Sequence, residues 1–176
     1  MTNKTAGKPD PRAPARASGG FRPEMWETAA RISNRLDELT KIVCMVERFG
    51  AARDIPRAIL NDLNLALDEV LNNIVSHGYP GDDLSGHHGS SNAGITVRLR
   101  HDPGLLRAEI EDDSIAFNPL TPRPLNEAVS PRQPKIGGLG IRFVLGLMDE
   151  VAYDRTDGRN RLRLTKRIPL SSYHAE

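Results

Sequence analysis

Residues 61–80, NDLNLALDEVLNNIVSHGYP, decide how this chain is read. Leu60, Leu63, Leu67, Val70 and Ile74 recur at three- and four-residue steps, the spacing of one buried helix face. Beside them Asp62, Ala66, Glu69, Asn73 and His77 recur at the same steps, so a second row of side chains points in one common direction. A core helix thus carries a carboxylate, an amide and an imidazole along its edge. Pro56 suits its first turn, and Gly78, Pro80 and Gly81 end it near His77.

Outward from this helix the chain divides into recognisable pieces. On its amino-terminal side Met25, Ala29, Ile32, Leu36, Leu39, Val43 and Val46 fall at helical spacing, which predicts one long amphipathic helix from Glu24 to Phe49, stopped by Gly50. Residues 1–20, rich in Pro, Ala, Gly and Arg, have almost nothing to bury and are expected to form a flexible arm. On the carboxyl-terminal side, residues 82–94 are a polar loop whose His87 and His88 are read as surface decoration. The runs ITVRLRH and LLRAEIE then alternate apolar with charged residues about the turn Asp102-Pro103-Gly104 and predict an antiparallel hairpin with one wet face.

Residues 112–138 are dense in Pro and poor in periodicity, so they read as a long loop of the kind that serves as a lid. A short helix follows Gly140, and two strands, Val151 to Arg155 and Arg161 to Ile168, flank a turn at Asp157-Gly158. Helices followed by a mixed, mainly antiparallel sheet covered by helices on one face imply an α+β two-layer sandwich. The expected boundaries are 1–20 for the arm, 21–170 for one domain and 171–176 for a tail.

Composition narrows the partners. With 24 Lys and Arg against 23 Asp and Glu, the formal charge of +1 gives no electrostatic reason to expect nucleic acid. No apolar run approaches the roughly 18 residues of a membrane helix, and no apolar segment follows the basic amino terminus as in a secretory signal. A cytoplasmic protein without membrane contact is expected. The single Cys44 excludes an internal disulfide, and its apolar neighbours suggest a buried thiol.

Three stretches could carry chemistry. Glu69 could take a proton from an attacking hydroxyl, and the amide oxygen of Asn73 could ligate a hard cation. In IEDDSIAFNP, Asp112 at a strand end could accept a hydrogen bond from an exocyclic amine. In KIGGLGIRFV, glycines at a helix start would let backbone N–H groups approach phosphate oxygens.

Order and spacing together resemble the ATP-binding domain of the gyrase, chaperone, histidine-kinase and mismatch-repair ATPase superfamily. The resemblance is strongest to the anti-sigma-factor serine/threonine kinases of bacterial partner switching, and covers roughly Glu24 to Ile168. ALDEVLNNIVSHGY looks like that family's asparagine box, which implies Glu69 as general base and Asn73 as Mg²⁺ ligand, with Asn72 and His77 beside them. EDDSIAFNP looks like the first glycine box, implying Asp112 at adenine with Phe117 nearby. GGLGIRFVLGLMDEV looks like the second, implying Gly138, Leu139 and Gly140 at the phosphates.

The first glycine box departs from the pattern, because Ser114 and Ala116 stand where the family has glycine. Positive φ at Ser114 would strain it and lower nucleotide affinity. The resemblance implies ATP and Mg²⁺ as cofactors, a kinase activity on an anti-anti-sigma (STAS-domain) protein, a sigma factor as second partner, and pairing of two copies. An ATP-responsive switch acting by protein contact, with little transfer, is the alternative reading. Arg132 and Lys135 in the lid have two readings, a contact to the β- or γ-phosphate and a solvated basic loop. Sensor histidine kinases would need an upstream phosphoacceptor helix, and gyrase-type enzymes a transducing domain.

Overall fold

The computed structural model describes residues 27–79, 94–121 and 139–169. The arm, the tail, the histidine-bearing loop, Arg132, Lys135 and Gly138 lie outside the described residues. Five strands, β1 (Thr28–Ile32), β2 (Ile95–Asp102), β3 (Leu105–Asp112), β4 (Glu150–Thr156) and β5 (Arg159–Arg167), form one sheet in the order β1-β2-β3-β5-β4. All four pairings are antiparallel. Among the described residues three α-helices, α1 (Leu39–Ala51), α2 (Arg57–His77) and α3 (Leu139–Leu147), complete the α+β sandwich.

Alternation along the strands explains the layers. Ile95, Val97 and Leu99 on β2, Leu106, Ala108 and Ile110 on β3, and Leu162 and Leu164 on β5 share one face. They form a single core with Ile42, Val46 and Phe49 of α1, the Leu60, Leu63, Leu67 row of α2, and Val144 of α3. Burial of this many aliphatic side chains, each worth about 1.5–3 kcal/mol, is the main force holding the helices on that face.

The expected helix from Glu24 to Phe49 is corrected. Residues 28–32 form β1 at the sheet edge, a single 3-10 turn spans Leu36–Glu38, and α1 begins only at Leu39. Thr28, Ala30 and Ile32 face inward by period-two alternation, and Ile32 is buried against the register partner Ile95. Pairing with β2 satisfies the backbone of this stretch in a way that local helical spacing could not reveal. Cys44 is also corrected: it is exposed, because the buried row of α1 is Ile42, Val46 and Phe49.

α2 follows expectation, with Pro56 as its N-cap residue and Gly78 donating its N–H to the Ile74 carbonyl at 2.7 Å. Between β4 and β5, Asp157 and Gly158 both take positive φ, 53° and 77°, as a two-residue primed turn requires. The sheet's other face carries no helix among the described residues, yet it is not simply wet. Glu109 and Glu111 are buried beneath arginines: Glu111 pairs with Arg98, Arg159 and Arg161, and Glu109 with Arg98 and Arg163. Burial would raise the Glu111 pKa, but the Arg161 hydrogen bond and the charges of Arg98 and Arg161 outweigh it and hold it below the usual carboxylate value.

Candidate functional site

A cleft opens between the last two turns of α2, the end of β3 with the loop after it, the start of α3, and the β4–β5 hairpin. Its apolar walls are Val70, Ile74, Ile141, Tyr153 and Leu162, and its polar groups come from Asn73, His77, Asp112, Ser114 and Asn160. Apolar walls with few fixed polar groups suit a ring that must be oriented as well as buried.

The polar row of α2 reaches this cleft only at its carboxyl-terminal end. Ala66 is fully buried in the core, and Asp62 pairs with Lys166 at 2.7 Å. One turn further, Asn73 Nδ2 donates to Glu69 Oε1 at 2.9 Å. A carboxylate only accepts, so the amide group of Asn73 must face Glu69 and its carbonyl oxygen must face away. That oxygen has no hydrogen-bond donor among the described residues and is left open as an acceptor beside the cleft. His77, one turn on, lines the same wall. Asn72 does not: its side-chain amide donates back to the Asp68 carbonyl at 2.8 Å.

Opposite α2, the end of β3 presents Asp112, almost wholly buried. Its Oδ1 accepts from the Ser114 N–H at 3.0 Å and from Asn160 Nδ2 at 2.9 Å, while Oδ2 takes no hydrogen bond among the described residues. Ser114 does not have positive φ, and neither does Ala116, so the strain expected from the missing glycines is absent. Space for Ser114 comes instead from Gly78, where a Cβ would lie 2.8 Å from Ser114 Cβ and 2.6 Å from the Ile74 carbonyl oxygen. Phe117 also lines the cleft and is exposed.

At the third side, Gly140 near the start of α3 sits directly against the Glu69 carboxylate, so that any Cβ there would overlap it. The first turn of α3 carries N–H groups with no intrahelical acceptor, a setting that favours anions. Leu139 opens this helix, and Gly138 precedes it outside the described residues. The structure thus brings Asn73, His77, Asp112 and Phe117 to one cleft, with Glu69 behind Asn73 and Gly140 against Glu69.

Sequence reasoning missed Asn160, Tyr153 and Arg155. The register pair Asp112 with Asn160 brings Asn160 to the cleft, where Tyr153 also lines the wall, and Arg155 donates to Asn160 Oδ1 from outside it. A usable signal was present, since Asn160 shares the parity of Leu162 and Leu164 and so falls on the inward face of β5.

Residues 32–166 match the family model of the histidine kinase-like ATPase domain. The chain belongs to that family. Membership in the histidine kinase-like ATPase domains implies ATP binding, and the α+β sandwich is theirs. The chain is 38% identical over 106 residues to the serine/threonine-protein kinase BtrW of Bordetella bronchiseptica, an alignment covering 58% of this chain and 67% of that protein. The crystal structure of the RsbU and RsbW domains of Rv1364c from Mycobacterium tuberculosis superposes with a TM-score of 0.53 at 17% identity, over 80% of this chain. That match spans about a third of the other chain, 32%, and speaks for the fold alone. Among the described residues no helix is long and apolar enough to cross a membrane.

Proposed function

We propose that the chain is an ATP-dependent serine/threonine protein kinase acting as an anti-sigma factor, which phosphorylates an anti-anti-sigma (STAS-domain) partner and sequesters a sigma factor. The observation that carries this reading is the Glu69–Asn73 pair beside the cleft, in a chain 38% identical over 106 residues to a protein named a serine/threonine-protein kinase. Asp112 offers Oδ2 to the exocyclic amine of adenine, and Phe117 covers the ring. His77, Gly138, Leu139 and Gly140 complete the nucleotide contacts, the last three through backbone N–H groups toward phosphate, whereas Asn72, turned back onto the Asp68 carbonyl, is left out of them.

The donor set fits Mg²⁺. Among the described residues there is no cluster of three or more His, Cys, Asp or Glu, so this chain would supply Asn73 Oδ1. Mg²⁺ bound through one protein oxygen, phosphates and water is its ordinary habit, and when bound it neutralises charge on the phosphates. Glu69 takes the proton of the acceptor hydroxyl, and Asn73 holds its carboxylate in place through Nδ2. A switch without transfer needs the same ATP site, and the ordinary backbone of Ser114, which leaves the Asp112 corner intact, supports ATP binding in either reading.

The test is phosphate transfer from labelled ATP to a candidate STAS-domain acceptor. Glu69→Gln is expected to lose about 10²–10⁴ in rate while still binding ATP. Transfer at the unaltered rate would remove Glu69 from the mechanism, and ATP binding without transfer by the wild-type chain would favour the switch.

A further inference from the structure

Asn160 makes more hydrogen bonds than a strand residue needs. Its Nδ2 lies 2.9 Å from Asp112 Oδ1, 3.1 Å from Ser114 Oγ and 3.0 Å from the Ile115 carbonyl oxygen. At the other end its Oδ1 accepts from the Tyr153 hydroxyl at 2.8 Å and from Arg155 Nη1. The amide cannot turn over, because its NH₂ would then face two donors while its oxygen faced three acceptors. Arg155 also donates to the Ser114 carbonyl at 3.1 Å, which ties the whole corner to the β4–β5 turn.

The consequence falls on Asp112. A carboxylate oxygen has two lone-pair directions, and Oδ1 already receives two donors, the Ser114 N–H and Asn160 Nδ2. Only Oδ2 remains to accept from a ligand. An aminopurine presents one exocyclic N–H to such a group. Guanine presents two parallel donors, its ring N1–H and its 2-amino group, and a carboxylate grips them best with both oxygens.

We infer that Asn160 is a positioning residue for base selectivity: by occupying Asp112 Oδ1 it reduces the carboxylate to a single acceptor and closes the two-oxygen grip that guanine would use. This rests on the reading of the cleft as a nucleotide site. Asn160 acts on the base through Asp112.

The experiment is calorimetric titration of the full chain with ATP and with GTP, for wild type and Asn160→Ala, alongside thermal unfolding. Wild type is expected to prefer ATP, and in Asn160→Ala the preference is expected to narrow about tenfold, as one of the two acceptor directions of Oδ1 is freed while the Ser114 N–H keeps the other. A purely structural role would lower the melting temperature and weaken both nucleotides together, and an unchanged ATP-to-GTP ratio would overturn the inference while leaving the nucleotide site standing. Failure of wild type to bind either nucleotide would remove the site and the inference with it. Should Asn160→Ala not fold, Arg155→Ala carries the same test from the exposed end of the network. There the ratio is expected to narrow two- to threefold, a few tenths of a hydrogen bond's worth, and a fixed ratio overturns the proposal equally.

Discussion

Gly140 and Glu69 touch: the backbone of α3's first turn lies so close to the carboxylate on α2 that no side chain fits between them. The group in the way is the end of a partly buried, flexible side chain, so an added methyl would displace the carboxylate instead of straining the core. Gly140→Ala is therefore expected to leave stability within about 1 kcal/mol, since alanine's better helix propensity offsets the crowding. Phosphate transfer should nevertheless fall by about 10² or more, approaching Glu69→Gln. Gly146, on the same helix with open space around it, is the control: Gly146→Ala should raise stability by about 0.5–1 kcal/mol and leave transfer alone. Equal activity in the two variants would mean that the contact does not position Glu69.

Ser114 gives a prediction opposite to the one its sequence suggests. If serine were strained there, glycine would relieve it and tighten nucleotide binding. The backbone is ordinary, however, and Ser114 Oγ accepts from Asn160 and donates to the Ile115 carbonyl. Ser114→Gly should therefore lose about 1 kcal/mol through the missing hydroxyl and the looser unfolded chain, with no gain in ATP affinity. Chemical denaturation and calorimetry on the same preparation separate these effects, and tighter ATP binding in the variant would restore the strain argument.

The contrast between α2 and β1 explains what was legible beforehand. α2 announces itself because a 21-residue helix repeats its pattern many times, and Glu69, Asn73 and His77 ride on that repeat. β1 is five residues, TAARI, with two alanines of low strand preference, and its partner β2 lies more than sixty residues away in the chain. Nothing local distinguishes it from the start of α1. Asp112 was visible as a carboxylate at a strand end, whereas Asn160 became part of the site only through the β3–β5 register, which depends on pairing across forty-eight residues. The helical spacing of Leu36 and Val43 was likewise misleading, since both are exposed.

Glu111 links the outer sheet face to pH. Its folded-state pKa is depressed by Arg161 and Arg98 despite burial, so its contribution to stability is present above the unfolded carboxylate value and disappears as pH falls through the folded value. Wild type should therefore lose stability steeply below about pH 4.3, the ordinary glutamate value. Glu111→Gln should be less stable at neutral pH, with Arg98 and Arg161 left without this partner, and should lose less on acidification. The two unfolding curves are expected to converge in acid. A constant difference between them from pH 7 to pH 3 would mean that packing, not charge, is what Glu111 supplies.

Asn73 does two things with the two ends of one amide, and substitutions can separate them. Its Nδ2 holds Glu69, and its Oδ1 is the oxygen available to a cation beside the cleft. Asn73→Ala removes both, so ATP affinity in the presence of Mg²⁺ should fall about 10–100-fold, the range for losing a contact to a charged group, while affinity in chelator is unchanged. Asn73→Asp keeps an oxygen for the cation but replaces the donor with a second carboxylate against Glu69. Mg²⁺-dependent binding should then survive, and transfer should fall because like charges push the base out of position. Titration of ATP and ADP with and without Mg²⁺, paired with transfer rates, checks both arms. If Asn73→Asp lost Mg²⁺-dependent binding as completely as Asn73→Ala, Oδ1 would not be the ligand, and the amide would serve only to hold Glu69.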